Sequence, residues 1–298
     1  MEILLQVAID DVASFARLAQ VCKRLAYLVT TEEGIWKRIV LGEEFGFGAM
    51  HYSFACEIDG TPVIDDNLGG YVLGSNDPSD GEPDLQIPPP LPTPVSLAPL
   101  LIPTPYPTYR SLFRLRPRIR FNGAYISTVN YTRPGAASPT ILTWNSPIHI
   151  VTYYRYLRFF RDGTCISLLT VSEPQDVIPF LYPEHMHKNH GALPSAPMKD
   201  ALPGRWRLSG PAGRSPDEGE DVGEKEGTLY VETEGATPKY LYKMALSVNS
   251  AGRKAKNNKL DWLGYWSYNK LTDDVGEFLM RNYRPYYFSR VKSYGVGM

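Results

Sequence analysis

Apolar positions in the first 56 residues recur at helical spacing. Ile3, Leu4, Val7 and Ala8 fall on one stripe. Asp10 and Asp11 offer caps for a second helix, along which Phe15, Leu18, Ala19, Cys22, Leu25 and Ala26 follow at three- and four-residue steps. Thr30 or Thr31, with Glu32 and Glu33 behind it, opens a third helix carrying Ile35, Trp36 and Ile39. Helices this short are marginal alone in water, so their stripes must be buried on one another or on a partner.

After a predicted helix from Tyr109 to Leu115 the period changes to two. Ile119, Phe121 and Tyr125 share one face, with Arg118, Arg120 and Asn122 on the other. Runs from Ile150 to Phe160 and from Thr164 to Thr170 flank Asp162-Gly163, a strong hairpin signal. Alternation returns in Tyr240 to Val248 and in Leu260 to Tyr268. Shorter strands fit at Arg205 to Ser209, Thr228 to Glu234, Val275 to Met280 and Tyr286 to Tyr294. A helix capped by Ser172 is expected over Pro174 to Leu181. Trp262 and Trp266 fall on one strand face around Gly264, so both are placed inside.

The pattern predicts an α+β fold: a short helical segment, then a mainly antiparallel β domain closed or nearly closed into a barrel. Closure removes long aromatic edges that would otherwise aggregate. The strands are self-contained from Ile119 to Tyr294, so residues 109–298 are expected to fold alone.

Between the two patterns, residues 57–108 hold 12 of the chain's 26 prolines, 8 acidic residues and no Lys or Arg. They read as a proline-rich acidic, disordered insertion. The organisation is therefore 1–56 helical, 57–108 insertion, 109–298 β domain.

Composition narrows the function. The net charge of −1 offers no field to gather nucleic acid or an acidic membrane. No run approaches the ~18 apolar residues of a span, and the start has no basic stretch followed by an apolar core. Three cysteines, Cys22, Cys56 and Cys165, suit a reducing compartment, and a cytoplasmic protein with a nuclear share is expected. No nucleophile motif, P-loop, dinucleotide fingerprint or zinc-protease signature is present, so no catalytic residue and no cofactor is expected. His185, His187 and His190 could meet a metal only from a flexible loop, and a solvated loop is expected. Arg110, Arg114, Arg116, Arg118 and Arg120 admit a phosphate-binding stripe, but period-two arginines also make the wet face of an outer strand, the reading preferred here. Acidic residues from Asp217 to Glu226, set among glycines, are expected in a mobile hairpin loop.

Glu2-Ile3-Leu4-Leu5, Leu18 to Leu25 and Ile35-Trp36-Lys37-Arg38 resemble an F-box, the ~45-residue module that docks on the Skp1 adaptor. The Leu-Pro pair that opens such a module would lie ahead of Glu2, so the segment is expected to be incomplete at its N-terminus. Arg116 to Ser127, Tyr153 to Gly163 and Pro285 to Tyr294 resemble the C-terminal domain of the F-box-only protein nine family and its fungal relatives. The resemblance implies a non-catalytic substrate receptor of a Skp1–cullin–F-box ubiquitin ligase, delivering a client for proteasomal degradation. Its adaptor contact, or the core beneath it, would be Ile3, Leu4, Leu18, Val21, Cys22, Leu25 and Trp36. Gly204-Arg205-Trp206 is also similar to the Gly-x-Trp of lipocalin-like barrels. That leaves a small-ligand-binding barrel with a vestigial F-box as the alternative.

Overall fold

The computed structural model describes residues 1–63, 93–134, 148–210, 225–253 and 255–294. Its helices are α1 Glu2–Asp10, α2 Val12–Arg17, α3 Lys23–Thr31, α4 Glu33–Leu41, α5 Pro94–Leu100, α6 Tyr109–Leu115 and α7 Pro174–Val177. Its strands are β1 Gly123–Pro134, β2 Ile148–Phe159, β3 Thr164–Thr170, β4 Leu202–Leu208, β5 Thr228–Glu234, β6 Tyr240–Asn249, β7 Lys259–Asn269, β8 Val275–Glu277 and β9 Tyr286–Arg290.

Asp11 caps α2 as its sequence position suggests, accepting from the amides of Ala13 and Ser14. The second predicted helix is nevertheless broken. Residues Leu18–Gln20 form a 3₁₀ turn, and Cys22 is extended ahead of α3. The break lets Phe15 and Val29 enter the same core from separate helices. Thr30 and Thr31 do not open α4. Their hydroxyls donate back to the carbonyls of Ala26 and Tyr27, closing α3 instead.

Each strand from β1 to β6 pairs antiparallel with the next, β6 pairs with β7, β7 with β9, and β9 with β1. Eight strands therefore close a barrel, and β8 hangs on β7 as a side hairpin. The Asp162-Gly163 turn joins β2 to β3 as predicted. Gly163 sits at φ +91, where side chains are strained, and a Cβ there would meet the Ala55 methyl at 2.9 Å.

Strands β1, β3, β5 and β7 begin, and β2, β4, β6 and β9 finish, at one end of the barrel, which the helical segment covers. There the Leu208 amide donates to the His51 carbonyl at 2.8 Å, and Arg161 donates to the carbonyls of Glu43 and Glu44. Trp206 closes the interior beneath them, tilted or edge-on against His51, Phe121 and Phe159. One continuous core runs from Ala8, Phe15 and Trp36 through Phe47, Met50 and Phe113 to Trp206, Val231 and Leu246. Buried residues of the helical segment and of the β domain thus share one core. A second, smaller core lies outside β1–β3, where α7 and its following turn press Val177 and Leu181 on Tyr156, Ile166 and Leu168.

Of the predicted insertion, residues 64–92 lie outside the described residues, while 57–63 and 93–108 are described. Thr93 caps α5 and Pro94 occupies its first turn, where the missing amide hydrogen is not needed. Pro94 and Ala98 are buried. Of the acidic cluster, Asp217 to Glu224 lie outside the described residues. Glu226 is held, in an ion pair of 3.1 Å with the buried Arg116.

The tryptophan pair is the clearest failure of simple alternation. Ala245 pairs with Gly264 but Leu246 pairs with Trp262, so Leu263 is an extra residue. This β-bulge inverts the faces of β7 beyond it. Trp262 and Tyr265 face inward, whereas Trp266 turns outward and lies over Gly264.

Candidate functional site

The helical segment presents part of its predicted contact set to solvent. Ile3 on α1 is 80% exposed and Val21, between the 3₁₀ turn and α3, is 70% exposed. Cys22 is an exposed free thiol. Leu4 and Leu18 are half-buried against the core, and Leu25 is half-buried. Trp36 belongs to the core beneath that surface. It is buried between Phe15 and Phe113, with its indole N–H donated to the Val29 carbonyl at 2.8 Å, and no partner can reach it. Tyr27, 66% exposed on α3, was not singled out by the helical stripe because it lies off it.

The barrel end away from the helices opens into a cavity of about 780 Å3. Met244, Tyr242, Tyr265, Phe278, Tyr283 and Tyr286 wall it, and Arg155 projects into it from β2. Arg155 shares the inward parity of Leu157 and Phe159. Its guanidinium lies 4.2 Å from the Tyr283 ring, and its Nε is buried with no partner among the described residues. Burial pushes the Tyr265 hydroxyl up to about 12, with Arg155 pulling the other way. Tyr265 stacks on Phe278 at 4.4 Å, which draws the chain after β8 across the mouth. Leu169, which lines it, is exposed, as are Leu271, Val275 and Leu279. The site joins an aromatic wall to the Arg155 guanidinium, with Lys188, Lys199, Asp200 and Glu234 also lining it.

The arginine ladder is not the wet face of a strand. The stretch before β1 is outside the sheet, and Arg116 and Arg118 are buried in it. Arg116 donates to Tyr52, to the Pro94 carbonyl and to Glu226, and lies 4.6 Å over Phe47. Arg118 donates to the carbonyls of Phe113 and Phe45. Arg120 donates to the carbonyl of Lys256 and lies over Phe288. These side chains tie the helical segment, the end of the insertion and the barrel together.

The histidine loop is only partly solvated. His190 is buried, its Nδ1 2.9 Å from the Ser195 hydroxyl, and it stacks on the exposed His187. Among the described residues no three His, Cys, Asp or Glu side chains converge as a metal site. No described helix is long and apolar enough to cross a membrane.

The helical cap thus docks on one end of a closed antiparallel barrel, with an aromatic mouth at the other. Residues 105–277 match the family model for the F-box only protein C-terminal region, and the chain belongs to that family. It is 31% identical over 191 residues to F-box protein pof7 of Schizosaccharomyces pombe, covering 63% of this chain and 45% of that protein. It is 30% identical over 190 residues to F-box protein HRT3 of Saccharomyces cerevisiae, covering 62% and 46%. The chain thus spans just under half the length of these relatives. No solved structure matches it.

Proposed function

We propose that the chain is a non-catalytic substrate receptor of a Skp1–cullin–F-box ubiquitin ligase. Ile3, Leu4, Leu18, Val21, Cys22 and Leu25 would meet a Skp1-type adaptor, and the barrel mouth with its apolar rim would take a client protein. The observation that carries this reading is the exposure of Ile3, Val21 and Tyr27 on a helical segment whose remaining stripe is committed to the core. Burying each in a partner would contribute about 1.5–3 kcal/mol. The similarity to two proteins named as F-box proteins supports the same reading. In this scheme the chain supplies effective concentration of client, and an associated conjugating enzyme performs the chemistry. The setting proposed is cytoplasmic with a nuclear share, which suits three unpaired cysteines.

The test is a Val21→Asp, Cys22→Asp double variant. Both side chains are exposed, so the fold should tolerate the change. A carboxylate pressed into an apolar contact must be desolvated without a partner, which costs several kcal/mol. Loss of Skp1 co-purification with an unchanged circular dichroism spectrum is expected. Undiminished capture would remove this surface from the adaptor contact. The size and aromatic lining of the mouth favour a second reading, a small-ligand barrel with a vestigial F-box. Under it, neither the parent nor the variant captures Skp1.

A further inference from the structure

Where the helical segment meets the barrel lies a second cavity, of about 340 Å3. Arg110, Arg114, Arg118, Arg120, Lys256 and Arg290 line it, facing a single carboxylate, Asp11. Asp11 is already committed, capping α2 and bridging Arg290 at 3.0 Å. Among the described residues no carboxylate pairs with Arg110, Arg114, Arg118, Arg120 or Lys256.

One of these cations is also removed from water, and a second is half-buried. Arg118 is 7% exposed, donates to backbone carbonyls at 3.3 and 3.1 Å, and lies 3.8 Å over the Phe113 ring. Arg120 keeps its Nε buried and unpartnered. Burial first, and the Arg120 charge second, push Arg118 down to about 9. Carbonyl oxygens satisfy hydrogen bonds but leave the charge uncompensated, and buried charge without a counter-ion is costly. The floor of Trp36, Phe113 and Phe121 thins the solvent and strengthens any electrostatic contact made above it.

We propose that this junction cavity binds a compact, phosphate-bearing small molecule. The planar forks of several arginines match phosphate oxygens in pairs, and so many unpaired cations favour a multiply charged anion over a single carboxylate. The volume lies near the lower end of the ~300–1,000 Å3 typical of small-molecule sites, so a folded partner does not fit. Arg110 and Arg114 come from α6, while Lys256 and Arg290 come from the barrel. A bound anion therefore bridges α6 to the barrel and stabilises the whole chain by linkage. This site is independent of the adaptor contact and of the barrel mouth.

The test is calorimetric titration and thermal melting of the full chain with inorganic phosphate, tripolyphosphate and a phosphoserine peptide, with chloride at matched ionic strength as control. Tripolyphosphate is expected to bind more tightly than phosphate and to raise the melting temperature beyond the chloride control. An Arg110→Gln, Arg114→Gln double variant on the outer wall should weaken binding by about tenfold or more. Its circular dichroism spectrum should not change, because Arg114 is exposed and Arg110 is only part-buried. Lys256→Gln, on the opposite wall, should weaken binding in the same direction. The proposal is overturned by either phosphate failing to act beyond chloride, by affinity unchanged in both variants, or by binding of the phosphopeptide alone.

Discussion

At the scale of single residues, buried polar side chains decide how this chain is held. Tyr52 receives the Arg116 guanidinium, Tyr294 donates to the Ile178 carbonyl, and Tyr265 lies beside Arg155 in the barrel mouth. Burial pushes each of these hydroxyls up to about 12 from a usual value of 10, against an opposing pull from the nearby arginine. Tyr156 and Tyr286 are raised by burial as well. The folded state therefore holds these protons more tightly than the unfolded chain. The associated stability is complete below pH 10 and is lost as the pH rises through 12. Ultraviolet titration should show exposed tyrosines ionising first. A second group should ionise only as the circular dichroism signal collapses. Ionisation of all tyrosines in one early phase, with the fold intact, would contradict the burial.

At the scale of elements, one inserted residue determines which tryptophan enters the barrel. The bulge at Leu263 turns Trp266 outward, where its ring lies 2.0 Å from where a Cβ on Gly264 would sit. Gly264→Ala should displace that ring and cost about 1–3 kcal/mol, as overpacking does. Trp266→Leu, in combination, should recover much of the loss, giving a favourable coupling in a double-mutant cycle by urea denaturation. Additive effects would mean that the ring does not sit over the glycine. Inward-facing Trp262 differs from a core tryptophan. It is half-buried and donates its indole N–H to the Arg284 carbonyl at the mouth.

At the scale of the molecule, the helical cap and the barrel share one core, which bears on how the chain melts. Removing residues 1–108 would uncover Phe113, Ile119 and Phe121 and orphan the arginine struts that donate to Phe45, Pro94 and Glu44. Each uncovered side chain forfeits about 1.5–3 kcal/mol, against a net stability of roughly 5–15 kcal/mol for a whole domain. The full chain is expected to melt in one calorimetric transition. Fragment 109–298 is expected to lack a cooperative one, contrary to what its strand pattern alone predicts. A fragment melting at the same temperature as the full chain would show that the cap contributes nothing to the barrel.

Spacing and turn residues alone determined α1, α6, the Asp162-Gly163 hairpin and β5, and the aromatic edges that open strands would leave exposed were the reason to expect closure. These are local properties, set by backbone geometry and the side chains a few residues away. Tertiary structure decided the rest. Arginines at even positions read as solvated because nothing local shows that carbonyls from residues 45, 94 and 113 will receive them. The bulge at Leu263 is invisible in the sequence because one inserted residue leaves composition and propensity unchanged while inverting every face beyond it. Of the adaptor set, exposure was legible for Ile3 and Val21. Trp36 was not separable from them, because a helical stripe looks the same whether a partner or the chain's own barrel covers it.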